Sequence, residues 1–443
     1  MTIHVIDPQH PGIQRISPGE ARGTPAEKAP DPDLGTELIP KTRYTDPDYM
    51  KLEWERLWTK VWNYGCAEQQ LPNPGDYYVT ELGKEQIILV KQTDGTYRGF
   101  YNVCLHRGNR LCIGACQGHA ESFQCDYHHF EWNIDGTLKR IPDRETFPQQ
   151  IKDANLKLKE VKVDTWGGWV FFSLNPNVEP LRDYLGMIPE HLDPYAFDQQ
   201  KLIDIKTIEW DCNWKTSVDA FNETYHVQGI HPELMLWLDD YFVQIDCYEK
   251  HNRYLVPFVT PSPRYDWRKM NETLTMIAQM TGLDPNEYEG NALELRRAVQ
   301  LAKRKMENDT HFPYKNLNDD QLTDDYHYMI FPNITMNIYA EAVMVFVSRP
   351  HATDPNKMLF DLINFAHIDP EADHQLPERK TYKHGQFSLG LVLDQDAYNL
   401  PEVQKGMNSD AYEGLLIGNQ ELRIRHFHKT LTDYVDPDGS LGV

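Results

Sequence analysis

The stretch that decides the fold runs from Cys104-Leu-His106-Arg-Gly108 to Cys125-Asp-Tyr-His128-His-Phe-Glu-Trp132. It contains two short pairs of one cysteine and one histidine, with one residue between the first two and two residues between the second two. Two thiolates and two neutral imidazoles can bind a [2Fe–2S] cluster, with the cysteines on one iron and the histidines on the other. Because imidazole brings less negative charge than thiolate, such a cluster has a higher reduction potential than an all-cysteine cluster.

Two cysteines and two histidines are also a ligand set for structural zinc. Common zinc modules place more residues between the two ligands of a pair than this chain does. A zinc-stabilised binding module remains the alternative interpretation at this point, and such a module would be colourless and redox-silent.

Both loops strongly resemble the cluster-binding loops of Rieske proteins, especially those of ring-hydroxylating oxygenases. The usual second loop of that family reads Cys-Pro-Tyr-His-Gly-Trp, so Asp126 and His129 depart from it. His129 offers a second histidine beside Cys125, but the two-residue spacing favours His128. The resemblance therefore implies a Rieske cluster bound by Cys104, His106, Cys125 and His128.

Composition agrees with an enzyme and excludes several other classes. The 443 residues have room for two or three domains, and the net charge of −23 disfavours nucleic acid and anionic membranes as partners. No apolar run could span a bilayer, and the N-terminus lacks the pattern of an export signal. The seven cysteines are therefore expected to be reduced thiols or metal ligands in the cytoplasm. Cys112 and Cys116 could pair, but we expect free thiols.

Local patterns outline the organisation of the chain. Residues 1–40 hold seven prolines and predict an extended arm. A helix is predicted over 46–63, followed by strands at 77–80, 86–91 and 97–103 and a closing strand at 169–174. We place a boundary near Asn175. The second part begins with helix and continues with strand patterns at 326–338, 342–349 and 359–367 and a polar, helical segment at 271–307.

A second metal site is indicated by the segment Glu223-Thr-Tyr-His226-Val-Gln-Gly-Ile-His231-Pro232. Two histidines five residues apart on an ideal helix would point about 140° from each other, so they converge only if the helix loosens. Gly229 and Pro232 both weaken helical structure. Taken alone, the pair could equally be two unrelated histidines on a partly buried helix. The wider segment from Asn213-Trp-Lys to His231-Pro232 closely resembles the mononuclear-iron motif of Rieske oxygenases.

The resemblance implies a carboxylate as third ligand, which completes a 2-His-1-carboxylate triad for Fe(II). The stretch Asp394-Gln-Asp396-Ala-Tyr-Asn-Leu-Pro-Glu402 is similar to the ligand segment of the family, and Asp396 fits its offset better than Asp394. Alternatively, Asp396 is an acid favoured by the dipole at the start of a helix.

The resemblance covers nearly the whole chain from about residue 40 and is to the large (α) subunit of Rieske non-haem iron oxygenases. It implies an α+β protein, in which an all-β Rieske domain joins a catalytic domain with an antiparallel sheet flanked by helices. We expect an arm at 1–40, the Rieske domain with its preceding helix at 41–175, and the catalytic domain at 176–443. Members form trimers, in some cases with a small β subunit.

The resemblance also implies the activity and the partners. A reductase would supply electrons from NAD(P)H, directly or through a ferredoxin, and the chain would use O2 to hydroxylate an apolar, aromatic substrate as a mono- or cis-dihydroxylation. The alternatives are an oxidative O- or N-demethylase of the same family and a Rieske electron carrier without oxygenase activity. Arg107, Arg110, Lys139 and Arg140 form a positive group that could dock an acidic electron carrier or be ordinary solvated surface.

Several residues near the second metal receive roles from the same resemblance. Glu223 takes the catalytic position of an acid that bridges His226 to His128 of a neighbouring subunit, although most members have Asp there. Asp219-Ala220 replaces the usual Glu-Asn, so one supporting hydrogen bond is expected to be absent. We expect the substrate pocket to include Phe221, Ile334 and Met336, and the 271–307 segment to be either a lid or a solvated helical excursion.

Overall fold

The computed structural model describes residues 6–12, 24–114 and 117–441. Its α-helices, in chain order, are α1 Thr42–Thr45, α2 Pro47–Glu53, α3 Leu181–Leu185, α4 Ile188–Leu192, α5 Trp214–Ala220, α6 Val227–Ile230, α7 Glu272–Met280, α8 Leu293–Lys305, α9 Leu391–Met407 and α10 Leu422–Val435. Its strands are β1 Ile39–Pro40, β2 Asn63–Ala67, β3 Asp76–Leu82, β4 Glu85–Lys91, β5 Tyr97–Tyr101, β6 Gln117–His119, β7 Ser122–Gln124, β8 Glu131–Asn133, β9 Leu138–Arg140, β10 Glu160–Trp166, β11 Trp169–Ser173, β12 Lys201–Trp210, β13 Gln244–Cys247, β14 Asn252–Val256, β15 Asp325–Ile330, β16 Ile334–Ile338, β17 Ala342–Pro350, β18 Met358–Ala366, β19 Lys380–Lys383 and β20 Gly414–Leu415. None of the helices in these ranges is both long and apolar enough to cross a bilayer.

The chain divides into two compact units. The smaller unit holds residues 51–186 and 350–354, and the larger unit holds the described residues up to 50 together with 187–349 and 355–441. This division differs from the predicted boundaries: residues 41–50 group with the larger unit, and the first segment of the smaller unit continues to Gly186 instead of ending near Asn175. The reason is local packing: Tyr44 of α1 donates a hydrogen bond to Asp219 of the larger unit, and α3 packs on β10 of the smaller unit.

The smaller unit is all-β apart from short helical segments, as expected. Its main sheet is antiparallel, in the order β2-β11-β10-β5-β4-β3-β6, and a three-stranded sheet follows the order β7-β8-β9. The predicted hairpin of β4 and β5 is confirmed, with Gly95 at φ +86° in its turn. Ile88, Val90, Phe100 and Trp132 lie in a core that also contains the two loop cysteines.

The larger unit is built on an eight-stranded sheet in the order β13-β14-β15-β16-β17-β18-β12-β19. The sheet is antiparallel except at the edge, where β19 runs parallel to β12. The strand pattern at 326–338 corresponds to two strands, β15 and β16, which are joined by a turn through Pro332. Proline has no N–H to give to a ladder, so it interrupts a central strand.

The N-terminal arm lies outside the described residues at 1–5 and 13–23. Over 24–38 the chain is without helix or strand, in agreement with an extended arm. Its main-chain groups contact the rest of the larger unit: the Ala29 N–H donates to Asp246, and Arg253 donates to the carbonyls of Pro25 and Glu27. These contacts hold the described part of the arm along β13 and β14.

Candidate metal centres and substrate cavity

The four Cys/His residues occupy two loops of the same design. The Cys104 N–H donates to the Asn109 carbonyl at 2.7 Å, and the Cys125 N–H donates to the Phe130 carbonyl at 2.8 Å. Both cysteines are buried, whereas His106 and His128 are half-buried with ring centroids 4.5 Å apart. The loops thus present two thiols on the inner side and two imidazoles toward the surface.

The donor set fits a two-iron cluster better than a single zinc ion. Nδ1 of His106 is buried and finds no hydrogen-bond partner among the described residues, so its lone pair is available to a metal. No three of the four donors approach one another within 4.8 Å in the described structure, although bond lengths near 2.0–2.3 Å around one zinc would require this. The geometry thus argues against the zinc module. Burial raises the pKa of the neighbouring Cys112 thiol to about 12, and Cys112 is free, while Cys116 lies outside the described residues.

His226 and His231 flank a single helical turn. α6 covers only Val227–Ile230, so His226 precedes the helix and His231 follows it. His231 has φ −124° and ψ +50°, outside the helical region, because the ring of Pro232 disfavours helical geometry at the preceding residue. The two imidazole centroids therefore lie 5.2 Å apart instead of pointing to different sides.

Asp396 lies on α9 and faces both histidines. Its Oδ1 is 3.2 Å from Nε2 of His231 and 3.9 Å from Nε2 of His226. Within the described chain these are the three metal-ligand side chains whose donor atoms all lie within 4.8 Å of one another. Asp394 instead accepts hydrogen bonds from the Leu389 N–H and the Ser388 hydroxyl at the start of α9. The role of a helix-start acid thus falls to Asp394 and not to Asp396.

The hydrogen-bond partners of the two rings indicate that a cation fits between these groups. Nδ1 of His231 donates to Oε1 of Gln395 at 2.5 Å, and Nδ1 of His226 donates to Oε1 of Glu223 at 2.6 Å. In neutral imidazoles both Nε2 atoms then carry lone pairs that face the Asp396 carboxylate. Facing lone pairs repel one another unless a cation lies between them. Two imidazoles and one carboxylate, of which His231 and Asp396 are buried and His226 is half-buried, are the donor set of a non-haem Fe(II) site.

Gln395 was not anticipated from the sequence. Its side-chain oxygen fixes the orientation of the His231 ring, as hydrogen-bond acceptors commonly do for metal-binding histidines. The only sequence signal was its position directly before Asp396, and an uncharged glutamine beside an acid does not stand out.

Glu223 makes two hydrogen bonds with His226, because its Oε2 also accepts one from the His226 main-chain N–H at 2.9 Å. Burial alone would lower the pKa of His226, but the charge and hydrogen bond of Glu223 outweigh burial and raise the pKa. Asp219 lies elsewhere: its carboxylate accepts a hydrogen bond from the Tyr44 hydroxyl at 2.5 Å and lies 3.3 Å from Nε2 of His428.

A cavity of about 270 Å³ opens onto the three donor atoms. Its wall is predominantly aromatic and aliphatic, and the aromatic members are Phe221, Trp237, Tyr254, Phe258, Tyr339 and Phe346. Phe221 therefore lines the cavity as expected, but the same expectation for Ile334 and Met336 is wrong. Side chains alternate along a strand, and on β16 it is Asn337 that faces the cavity.

The 271–307 segment does not line the cavity, so the lid interpretation is not supported. α7 and α8 pack around Leu274, Ala278 and Leu295 in a separate core. Trp237 and Phe258 pack against that core from the cavity wall. The segment therefore supports the back of the cavity.

Comparison with known proteins agrees with this arrangement. Residues 61–160 match the model of the Rieske [2Fe-2S] domain, and residues 197–437 match the model of the ring-hydroxylating alpha subunit, catalytic domain. Among curated relatives, the large oxygenase component of salicylate 5-hydroxylase from Ralstonia sp. is 33% identical over 213 residues, which are 45% of this chain and 50% of that protein. The oxygenase subunit of glycine betaine monooxygenase from Pseudomonas aeruginosa is 28% identical over 197 residues, 44% of this chain and 45% of that protein. The matched region thus spans about half the length of these relatives.

Solved structures share the fold at low sequence identity. A quaternary ammonium Rieske monooxygenase in complex with L-carnitine superposes with a TM-score of 0.66 at 18% identity, over 93% of this chain and 100% of that one. Naphthalene 1,2-dioxygenase from Rhodococcus sp. bound to indole gives a TM-score of 0.64 at 19% identity, over 90% and 95% of the two chains. The catalytic-domain model matches more than half of this chain, and the Rieske-domain model matches the region before it. This chain therefore belongs to the ring-hydroxylating alpha-subunit family of Rieske oxygenases.

Proposed function

We propose that this chain is the terminal oxygenase component of a multicomponent Rieske oxygenase. The observation that carries the proposal is the convergence of His226, His231 and Asp396 on the wall of a mainly apolar cavity. A pure electron carrier would have no use for this second site. When bound, the iron would supply O2 activation, for which a 2-His-1-carboxylate triad leaves coordination positions open.

In this proposal Cys104, His106, Cys125 and His128 bind the Rieske cluster, and the domain order is arm, Rieske domain and catalytic domain. Electrons come from NAD(P)H through a reductase, with or without a ferredoxin. The chain acts as a trimer in which Glu223 connects His226 to His128 of a neighbouring subunit. None of the described cysteines forms a disulfide, which supports placement in the reducing cytoplasm.

The lining of the cavity supports an apolar, aromatic substrate that is mono- or dihydroxylated. Aromatic rings on several sides provide stacking and edge contacts for a planar molecule. The second candidate is oxidative demethylation, because the same rings, together with the Asp325 carboxyl, would also accommodate a methylated ammonium group.

Metal content and electron paramagnetic resonance test the proposal. The iron-replete protein should hold about three irons per chain, two in the cluster and one mononuclear. Dithionite reduction should give the rhombic signal of a Rieske cluster. Asp396→Ala should lower the count to about two irons and keep that signal, whereas Asp394→Ala should retain all three. One zinc per chain and no signal would contradict the proposal.

A further inference from the structure

The cavity wall carries one polar corner that the metal site does not use. Asp325 and His327 are two residues apart on β15 and therefore point to the same face of the strand. Both line the cavity, together with Asn337 of the neighbouring strand β16. In a wall that is otherwise mainly apolar, buried polar groups of this kind fix the orientation of a ligand.

The proton on the His327 ring can be located from its partner. Nη2 of Arg423 lies 3.1 Å from Nδ1 of His327, and a guanidinium only donates, so Nδ1 must accept. Arg423 is itself held by Asn252, whose Oδ1 accepts from its Nε at 2.7 Å. Burial and the Arg423 charge keep the pKa of His327 well below its ordinary value, so the ring is neutral. The single ring proton is therefore on Nε2.

No acceptor for this N–H lies within the part of the chain that the structure describes. Nε2 of His327 is buried and finds no hydrogen-bond acceptor among the described residues, while the residue itself forms part of the cavity wall. Its ring is fixed by stacking on Tyr254, with centroids 4.5 Å apart and an interplanar angle of 18°. A buried, rigid and unpaired donor is costly unless a ligand pairs with it.

Asp325 restricts which ligand can do so. Its Oδ1 accepts the Ile338 main-chain N–H at 3.1 Å, and the carboxyl otherwise borders the cavity. Burial raises the pKa of Asp325 well above its ordinary value, against the opposing effects of the Ile338 N–H and the Arg423 charge. A ligand carboxylate would lie beside this acid, and a quaternary ammonium has no atom that accepts from His327. A hydroxyl accepts from His327 and can pair with either protonation form of Asp325.

We propose that the substrate is a neutral aromatic or alicyclic molecule that already carries a hydroxyl group, which docks between His327 Nε2–H and Asp325. The inference rests on the proposed function, since it places this hydroxyl in the cavity that holds the triad. The reaction that supplies the substrate must then be one that leaves a ring hydroxyl, such as an earlier hydroxylation or an ether cleavage.

Anaerobic calorimetry on the iron-loaded protein tests the inference with three probes: 2-naphthol, naphthalene and tetramethylammonium. We expect 2-naphthol to bind at least about tenfold more tightly than naphthalene, because it pairs the His327 donor, and tetramethylammonium to bind more weakly than both. His327→Phe keeps an aromatic ring against Tyr254 and should reduce the preference for 2-naphthol to about twofold or less. Val256 lies on the apolar wall, so Val256→Ala should change the affinities for naphthalene and for 2-naphthol by the same factor.

Equal binding of naphthalene and 2-naphthol by the unmodified protein would overturn the inference, even if His327→Phe does not fold. Tighter binding of tetramethylammonium would also overturn it. Iron content and the Rieske signal of the same sample report separately on the proposed function, so the two can fail independently.

Discussion

His129 adopts a backbone conformation that suits glycine. Its φ is +58°, in the left-handed region, at the place where the usual loop of the family has Gly. The conformation is needed because the His129 N–H turns back to the Cys125 carbonyl at 2.9 Å and closes the loop. A side chain at positive φ costs about 1 kcal/mol.

We therefore expect His129→Gly to stabilise the smaller unit by roughly 0.5–1 kcal/mol, measured by thermal unfolding with the cluster present. Gly108 offers the matched control in the other loop. It has φ +78° with open space around its Cβ position, so Gly108→Ala should destabilise through backbone strain alone. A lower melting temperature for His129→Gly would show that His129 contributes more than its conformation.

Glu223 holds His226 through both carboxylate oxygens, and only one of them can be replaced by an amide oxygen. Glu223→Gln should retain both metals but slow single-turnover electron transfer between the metal centres by about 10- to 100-fold. Asp219 is a buried acid that contacts Tyr44 and His428 rather than His226. The Asp219→Asn variant should therefore transfer electrons between the metal centres at the normal rate. Unchanged transfer in Glu223→Gln with intact metal content would contradict a bridging role.

The elements around the triad explain which parts of the site were predictable. The ligand spacing and a break near Pro232 are local properties, so the sequence was sufficient to identify them. The break itself belongs to Pro232, because Gly229 lies within the regular turn of α6. Contacts between distant elements, such as Gln395 with His231 or the face of β15 toward the cavity, depend on strand order and register, which the pattern of one strand does not contain.

Pro232 can be tested against Gly229 as the cause of the convergence. Pro232→Ala removes the restriction on His231 and allows α6 to continue, which would turn the ring away from Asp396. We expect mononuclear iron occupancy to fall by about tenfold or more, as when a metal-site support is lost, with the cluster retained. Gly229→Ala introduces a Cβ that contacts nothing within 4 Å and should keep the iron. Full iron in Pro232→Ala would show that tertiary packing alone positions His231.

The sheet of the larger unit depends on a buried ionic cluster at Asp361 of β18. Arg349 donates to both of its oxygens at 2.7 and 2.8 Å, and Thr207 and Arg379 also donate to it. Burial alone would raise the pKa of Asp361, but the two arginine charges outweigh burial and lower it. Its stabilising effect is thus present above the unfolded pKa of about 3.9 and is lost as the pH falls through the lower folded pKa.

Asp361→Asn should reduce the free energy of unfolding by about 3–5 kcal/mol at pH 7, because it leaves the buried Arg349 and the partly buried Arg379 without their counter-ion. Urea unfolding should show this difference shrinking below about pH 4. Asp204→Asn on β12 removes a partly exposed partner of Lys206 and should cost at most about 1 kcal/mol. A pH-independent effect of Asp361→Asn would contradict the ionic explanation.

At the scale of the whole molecule, a net charge of −23 contrasts with the basic residues near the cluster loops. Glu131 partly balances Lys139 and Arg140, at 2.8 and 3.4 Å. The described residues give Arg107 and Arg110 no carboxylate partner, and Arg107 lies over the Tyr127 ring. These two arginines are the better candidates for contact with an acidic electron donor.

Charge reversal of Arg107 and Arg110 should raise the KM for the electron donor by about tenfold at low salt, with a smaller effect at high salt as screening increases. Reversal of Lys139 and Arg140 should have a weaker effect. If reduction by the donor is unchanged across the salt range in the first variant, docking does not use this surface.

The contact of α9 with His231 has a consequence for how this protein can diverge. Two consecutive residues, Gln395 and Asp396, meet opposite nitrogens of one imidazole ring. Neighbouring helical residues point about 100° apart, so both contacts exist in a single rotational setting of α9. An insertion or deletion within the first turns of α9 would break both at once. Ligand preference can therefore change through the strands and loops of the cavity wall, while the first turns of α9 must keep their length and register.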